Sequence, residues 1–268
     1  MPTKQVVLVT GVTSGIGRAT ALALANRGFR AFGTMRKPTE LPGVEVLALD
    51  VRDAESVRAA VQKVIAAAGR IDVLINNAGY TLIGALEETS IEEAVQLFET
   101  NFFGVLRLTN AVLPVMREQG YGRVINIGSV AGFVPMPFQG LYAASKHALE
   151  GLSESLDHEV RQFGIRVSVI EPGFMRTAID QHRQVASHPL ETYKTAREQV
   201  LAVNPRNVAQ GDDPGRVAAI VVKAIQSPSP RLRYLAGRQA ILTNLLVKFL
   251  PAAVFDAGLR KQSGLAAV

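Results

Sequence analysis

Short apolar runs alternate with longer segments of helical periodicity along most of the chain. Six runs are short, largely apolar and rich in β-branched residues, which predicts buried strands at Val6–Val9, Arg30–Thr34, Val44–Leu49, Val73–Asn76, Val124–Ile127 and Val167–Ile170. Helices are predicted between them at Gly17–Asn26, Ala54–Ala68, Ile91–Val115 and Tyr142–Phe163. Because this alternation requires parallel crossover connections, we expect one α/β domain over residues 1–268. It should be built on a doubly wound parallel sheet with helices on both faces.

Two segments depart from this pattern. Residues 174–215 are polar and rich in proline, and we interpret them as a lid over a substrate pocket, with a solvent-exposed loop as the alternative. Ala240–Phe255 is apolar but falls short of the roughly 20 residues that a membrane-spanning helix needs. It could cap the pocket, join subunits or touch a membrane surface. Lys248 and Pro251 interrupt the amphipathic pattern of an interfacial helix, which argues against membrane contact.

Composition narrows the function classes. The 268 residues are 48% hydrophobic and 19% charged, as in a globular protein, and contain no cysteine, which excludes disulfides, thiolate nucleophiles and zinc–thiolate sites. The net charge of +6 comes from cations that are scattered along the chain, which argues against nucleic-acid binding. A phosphorylated small ligand explains part of this positive excess more simply. The four histidines show no metal-ligand spacing, and no metal is expected. The amino terminus lacks a secretory signal pattern, so we expect a cytoplasmic protein.

A glycine-rich turn follows the first predicted strand and opens the first predicted helix. Gly11, Gly15 and Gly17 would allow a tight turn, a close approach of the backbone to a pyrophosphate, and packing of the helix against the strand. The exposed N–H groups and the dipole of the helix favour a negative ligand. The position of this turn predicts a dinucleotide site.

The end of the second predicted strand indicates which dinucleotide is bound. An acidic residue there would bond the ribose 2′-hydroxyl of NAD, but the chain carries Arg36 and Lys37. A guanidinium can hold a 2′-phosphate with paired hydrogen bonds, so we predict NADP(H) in preference to NAD. Glu40 lies close by and weakens this preference, and a solvated surface pair of cations is the alternative.

Three polar residues predict proton transfer to an alcohol oxygen. Tyr142 and Lys146 are spaced i, i+4, which puts them on one face of a helix, where the ammonium could lower the phenol pKa. One charge at about 4 Å supplies roughly the 4 kcal/mol needed for a shift of about 3 units. Ser129 ends a predicted strand, where ligands bind in such sheets, and its hydroxyl could hold the substrate oxygen beside Tyr142.

Taken together and in order, these motifs resemble the classical short-chain dehydrogenase/reductase family over nearly the whole chain. The matching pieces are Thr10–Gly17, Asp50-Val51, Asn76-Asn77-Ala78-Gly79, Asn101, Ser129, Tyr142, Lys146, Pro172-Gly173 and Thr177. The stretch Phe32–Arg36 is similar to the NADP-preferring branch that includes hydroxysteroid and retinol dehydrogenases. The resemblance implies a Rossmann-like fold and a dimer or tetramer assembled through the helices that hold Asn101 and Tyr142.

The resemblance also implies residue roles. Ser129, Tyr142, Lys146 and Asn101 would be catalytic, with Asn101 holding a water that links Lys146 to solvent. The cofactor-binding set would be Gly11, Thr13, Ser14, Gly15, Ile16, Gly17, Arg36, Lys37, Asp50, Val51, Asn77, Tyr142, Lys146, Met175 and Thr177. Within it, Asp50 would bond the adenine amino group, and Asn77 would lie near the adenosine ribose. Ser14 stands where many NADP users carry a cation, so phosphate selection would fall mainly on Arg36.

These observations predict an NADP(H)-dependent oxidoreductase that interconverts an apolar secondary alcohol and its ketone or aldehyde, a carbonyl reductase in one direction. Three alternatives stay open: an NAD-dependent dehydrogenase of the same family, a nucleotide-sugar epimerase or dehydratase that uses the cofactor transiently, and a non-enzymatic dinucleotide sensor. The sequence does not identify the substrate.

Overall fold

A parallel sheet forms the centre of the computed structural model, which describes residues 4–177 and 183–265. Among these residues the strands of the main sheet are β1 (Val6–Thr10), β2 (Arg30–Met35), β3 (Val44–Ala48), β4 (Val73–Asn76), β6 (Gly122–Ile127), β7 (Ile165–Pro172) and β9 (Arg233–Ala236). Their order across the sheet is β3-β2-β1-β4-β6-β7-β9, and every neighbouring pair is parallel. The short strands β5 (Leu82–Ile83) and β8 (Gln184–Val185) pair separately. This architecture confirms the predicted α/β fold.

Helices connect the strands and cover the sheet. They are α1 (Gly15–Asn26), α2 (Ala54–Ala68), α3 (Ile91–Phe98), α4 (Gly104–Gln119), α5 (Gly140–Val160), α6 (Lys194–Ala209), α7 (Pro214–Gln226), α8 (Arg238–Phe249) and α9 (Ala252–Gln262). The described residues include no helix long and apolar enough to cross a bilayer.

Alternate residues of the strands feed two separate cores. On β1, Val7 and Val9 pack with buried residues of α1 and α7, whereas Val6 and Leu8 pack with those of α2 and α4. A strand whose side chains are buried on both faces needs an apolar residue at every position, which is why these strands read as unbroken apolar runs. Because these neighbouring strands are parallel, the carboxyl ends of β1, β4, β6 and β7 lie along one edge, where loops can build a site.

The helix predicted at Ile91–Val115 is not continuous. After α3 the chain makes a turn of π-helix over Glu99–Phe103 and then continues as α4 to Gln119, past the internal Pro114. The prediction missed the π turn because hydrophobic periodicity does not report a single inserted residue. The helix predicted at Tyr142–Phe163 begins earlier, at Gly140, and ends at Val160 before a 3₁₀ turn.

The segment predicted as an irregular lid is more ordered than its sequence suggested. Within 174–215 the described residues contain β8 and the four-turn helix α6, which accommodates Pro205. The backbone of Gln184 donates to Thr81 O (2.8 Å), and that of Ala186 donates to Ile83 O (2.8 Å). Residues 178–182 of the predicted lid lie outside the described residues. The role of the segment as a lid stays a prediction.

Candidate active site

A cleft of about 650 Å³ opens at the carboxyl edge of the main sheet. Its wall includes most residues that the sequence singled out: Gly11, Thr13, Ser14, Gly15, Ile16, Gly17, Arg36, Asp50, Val51, Asn77, Ser129, Tyr142, Lys146, Met175 and Thr177. Two predicted residues do not line the cleft: Lys37 is exposed outside it, and Asn101 is buried behind the wall. The predicted dinucleotide turn and the predicted proton-transfer group therefore share one cavity.

The glycine turn is packed too closely for side chains. Gly11 has a φ of +71°, and a Cβ there would lie 2.9 Å from Ala78 Cα. A Cβ on Gly17 would lie 2.3 Å from Gly11 O. At the start of α1, Ser14 makes no side-chain capping hydrogen bond, whereas Asp53 caps α2 by accepting from Glu55 N. The first N–H groups of α1 thus lack a side-chain cap, which suits an anionic group such as a pyrophosphate.

Asn77 holds this turn in place. Its Nδ2 donates to Thr10 O (2.9 Å) and Gly11 O (3.0 Å). In return, Thr10 Oγ1 accepts from Asn77 N (2.9 Å) and Ala78 N (3.0 Å). The family resemblance implied a place near the adenosine ribose for Asn77, which stays a prediction. The structure adds that its amide nitrogen ties the end of β4 to the glycine turn.

Two arginines carry positive charge at the end of the cleft beyond β2 and β3. Arg36 is exposed and lines the wall, as does Arg52, which the sequence analysis did not single out. Arg52 Nη2 donates to Asp50 Oδ2 (2.7 Å), and its Nε donates to Asp50 Oδ1 (3.0 Å). These bonds, assisted by the charge of Arg36, lower the pKa of Asp50. The Asp50 carboxylate therefore stays ionised, and the positive charge of Arg52 balances it, which reduces its repulsion of a nearby phosphate.

The Tyr142 phenol experiences two opposing effects. Burial raises its pKa above the ordinary value of 10, and side-chain hydrogen bonds with Ser129 and Thr81 act in the opposite direction, with burial the larger effect. Ser129 Oγ also accepts from Ala131 N (3.1 Å), which fixes the serine at the end of β6. Thr81 had no signal in the sequence beyond lying two residues after the Asn-Asn-Ala-Gly motif.

The net pKa of Tyr142 is raised by burial rather than lowered, and the effect expected of Lys146 on it stays a prediction. Lys146 is 7% exposed, and burial lowers its pKa to about 8 against the opposing charge of Glu150. Its Nζ donates to Ile127 O (2.8 Å) and lies 5.9 Å from the centroid of the Tyr142 ring. Helical spacing placed the two residues on one face correctly. It could not show that a strand carbonyl holds the ammonium.

Asn101 lies in the π turn, behind the cleft wall. Its Nδ2 donates to Tyr80 O (3.0 Å) and Ser145 Oγ (3.3 Å), and its Oδ1 accepts from Tyr80 N (3.1 Å). These bonds tie the π turn to the loop after β4 and to α5, one residue before Lys146. The relay role implied for Asn101 stays a prediction.

A buried acidic cluster that the sequence analysis missed lies behind Lys146. Glu150 is one helical turn after Lys146, and its Oε2 accepts from Arg233 Nε (3.0 Å). Burial, reinforced by the charge of Glu150, raises the pKa of Glu171 to about 7. The i, i+4 spacing of Lys146 and Glu150 was a usable signal. Arg233 and Glu171 are distant in sequence and gave none.

Comparison with known proteins places this geometry in a family. Residues 5–187 match the family model described as short chain dehydrogenase. The chain is 40% identical over 236 residues to 3-ketodihydrosphingosine reductase of Bacteroides thetaiotaomicron, covering 87% of this chain and 88% of that protein. It is 36% identical over 260 residues to human 17-beta-hydroxysteroid dehydrogenase type 1, covering 86% and 77% of the two chains.

Solved structures agree in fold over most of the chain. A short-chain dehydrogenase from Streptomyces avermitilis superposes with a TM-score of 0.82 at 35% identity, covering 97% of both chains. A serine dehydrogenase complexed with NADP+ (TM-score 0.75, 26% identity) covers 86% of this chain and 94% of its own. A Burkholderia phymatum short chain dehydrogenase/reductase in complex with NAD (TM-score 0.75, 26% identity) covers 91% and 94%. The chain belongs to the short-chain dehydrogenase family of oxidoreductases.

Proposed function

We propose that this protein is an NADP(H)-dependent oxidoreductase that interconverts an apolar secondary alcohol and its ketone. The observation that carries the proposal is the shared cleft, in which the glycine turn, Arg36 and the Ser129–Tyr142–Lys146 group line one wall. The uncapped start of α1 and the exposed Arg36 suit a dinucleotide with an extra phosphate.

The residues of this chain would divide the chemistry as follows. Bound NADPH supplies a hydride to the carbonyl carbon. Ser129 would hold the substrate oxygen by hydrogen bonding, and Tyr142 would give that oxygen a proton. Because burial raises the pKa of Tyr142, the phenol is protonated at neutral pH, as a proton donor must be. Lys146, with a pKa of about 8, is mostly cationic at neutral pH and would stabilise the phenolate left behind.

The relatives suggest a substrate class. The names of the two curated relatives include 3-ketodihydrosphingosine and a 17-beta-hydroxysteroid, both of which pair an alcohol or ketone with an apolar skeleton. Met136, Phe174 and Val208 line the same cleft as Tyr142 with apolar side chains, among which such a skeleton could be buried. We therefore propose a large apolar ketone as the substrate.

Deuterium transfer tests this function. NADPH deuterated at either face of C4 would be incubated with 3-ketodihydrosphingosine, a 17-ketosteroid, an aliphatic ketone and a quinone. We expect deuterium on the carbinol carbon of one product, in the same amount as the NADPH consumed. A dinucleotide sensor would consume no NADPH with any ketone. An epimerase or dehydratase would retain the label on its bound cofactor without net consumption. Either result would refute the proposal.

Replacing Arg36 tests the cofactor preference. Arg36→Asp removes a charge-assisted partner of the 2′-phosphate and adds repulsion, so we expect the NADPH-to-NADH ratio of kcat/KM to fall by roughly tenfold to a hundredfold. Lys37→Asp is the matched control, because Lys37 is exposed outside the cleft wall. An unchanged ratio in Arg36→Asp would count against Arg36 as the partner of the 2′-phosphate, and an equal fall in both variants would mean that Arg36 has no specific role in it.

A further inference from the structure

An apolar stripe runs along the outer side of α8, away from the sheet. Ile241, Leu242, Leu245 and Phe249 are 50%, 56%, 47% and 78% exposed. Their spacing of i, i+1, i+4 and i+8 puts them on one face of the helix. Large apolar side chains grouped in this way on a solvent-exposed surface mark a contact with a partner or a membrane.

The opposite side of α8 is fixed to the rim of the cleft. Gln239 Oε1 accepts from the backbone N–H of Phe174 (2.8 Å), and Ala240 is fully buried. A Cβ on Gly173 would lie 3.2 Å from Ala240 N, so the helix and the rim are in direct contact. Gly173 and Phe174 both line the cleft. The apolar stripe is therefore held about one helix diameter (~10 Å) from the rim of the proposed active site.

The helices α8 and α9 carry mostly positive charge, and the nearby Asp212 accepts from the backbone N–H of Arg238 at the start of α8 (2.8 Å). The helices α8 and α9 carry Arg238, Lys248, Arg260 and Lys261 against one carboxylate, Asp256. This excess of three accounts for half of the net charge of +6 on the whole chain. Arg238 lies in the first turn of α8 and Lys248 in its last turn, so the two cations border the stripe at both ends.

We propose that α8, with α9 beside it, docks this protein on an anionic lipid surface. The stripe would enter the boundary between headgroups and acyl chains, and the bordering cations would contact lipid phosphates. Lys248 is adjacent to the stripe and can extend its ammonium to the headgroups, and Pro251 only separates α8 from α9. The two residues that argued against membrane contact in the sequence are thus compatible with it in the folded protein.

Charge favours a membrane over a second copy of this chain. In a two-fold symmetric contact each patch faces its own copy, so the cations of one patch would lie near those of the other. Like charges brought together across an interface cost binding energy, whereas an anionic bilayer attracts each of them. Resting on the proposed function, this docking would place the cleft next to a membrane that holds apolar ketones.

Co-sedimentation with vesicles tests the docking without cofactor or substrate, so its failure is distinct from failure of the proposed activity. The protein would be mixed with vesicles of phosphatidylcholine alone or of phosphatidylcholine with phosphatidylglycerol. We expect binding to the anionic vesicles, weakened by salt. Arg238→Gln with Lys248→Gln should weaken it about fivefold per removed cation. Leu245→Ser with Phe249→Ser should weaken it roughly tenfold or more.

Matched controls lie elsewhere on the surface. Ile91→Ser removes an apolar side chain that is 75% exposed on α3, and Lys63→Gln removes an exposed cation on α2. Neither should change vesicle binding. Equal binding to both vesicle types, or no loss in the α8 variants, would overturn the proposal. So would sedimentation velocity showing a dimer that the Leu245→Ser, Phe249→Ser variant dissociates, with no vesicle binding by the wild type.

Discussion

The proton chemistry of the proposed site depends on how three hydroxyl groups share one corner of the cleft. Ser129 and Thr81 approach the Tyr142 phenol from different segments, one after β6 and one before β5. Their hydrogen bonds lower the pKa of the phenol, although burial raises it by more. A hydrogen bond to the phenolate oxygen stabilises its negative charge. Either hydroxyl can therefore lower the pKa of Tyr142 without contacting the carbon that accepts the hydride.

Removing the Thr81 hydroxyl should therefore change the pH dependence of catalysis. Alcohol oxidation needs the phenolate, so its rate rises with pH through the pKa of Tyr142. Without the bond from Thr81 that pKa is higher, and Thr81→Val should move the rising limb of kcat/KM to higher pH. At neutral pH we expect a loss of roughly tenfold, as for one hydrogen bond to a charged group.

Thr81→Ser is the control, since it keeps a hydroxyl at the same position and should retain most activity and the original limb. If both variants lose activity equally with no movement of the pH profile, Thr81 only supports the packing of its loop.

At this scale the sequence predicted positions better than interactions. Ser129, Tyr142 and Lys146 could be predicted because a strand end and an i, i+4 spacing fix where side chains begin. The partner of Lys146 could not, because Ile127 O becomes available only when β6 packs beside α5. Thr81 was missed for a similar reason, since its loop meets Tyr142 only in the folded chain.

Two irregular elements shape the cleft. The π turn at Glu99–Phe103 directs Asn101 inward, where it bonds the loop after β4 and the helix that carries Lys146. Such single-turn insertions occur often at functional sites. The pair β5–β8 joins the predicted lid to the segment that contains Thr81. The predicted lid is thus hydrogen-bonded, backbone to backbone, to the segment that contributes Thr81 to the surroundings of Tyr142.

A buried carboxylate fastens the lid segment to the body. Glu88 is fully buried, pairs with Arg197 on α6 and accepts from Leu190 N (3.0 Å). Glu88→Ala leaves the Arg197 charge, itself only 12% exposed, without this partner, so we expect about 3–5 kcal/mol less stability in denaturant unfolding. Limited proteolysis should also cut the lid segment faster.

The neighbouring Glu87→Ala serves as the control, because Glu87 is exposed and bonds only the Tyr193 hydroxyl among the contacts described for it. Its effect should stay within about 0.5 kcal/mol. Equal losses in the two variants would mean that Glu88 does not fasten the lid segment.

Elements were predictable where their periodicity was strong. The strands β1 to β4 and the helices α1 and α2 appear within a few residues of their predicted bounds. The helix α6 in the predicted lid was missed because its face pattern is weak and it holds Pro205. The strand β9 was missed because it lies at the edge of the sheet, and Arg233 and Tyr234 break the apolar run by which the more central strands were predicted.

The whole molecule combines a predictable frame with less predictable surfaces. Parallel strands buried on both faces allow only crossover connections, so the doubly wound sheet and the position of its cleft followed from alternation alone. The exposure of the apolar face of α8 could not be predicted, because an apolar segment has the same sequence pattern whether it is buried or exposed. The excess of positive charge on α8 and α9 likewise acquired meaning only beside their exposed apolar stripe.

Turnover by Tyr142→Phe tests the central claim most directly, because this substitution removes one oxygen from the phenol that is proposed to donate the proton. NADPH binding, followed by its fluorescence, should be nearly unchanged, whereas reduction of the best ketone should fall by at least about a hundredfold. A variant that binds NADPH normally and keeps most of its ketone reduction would contradict the account.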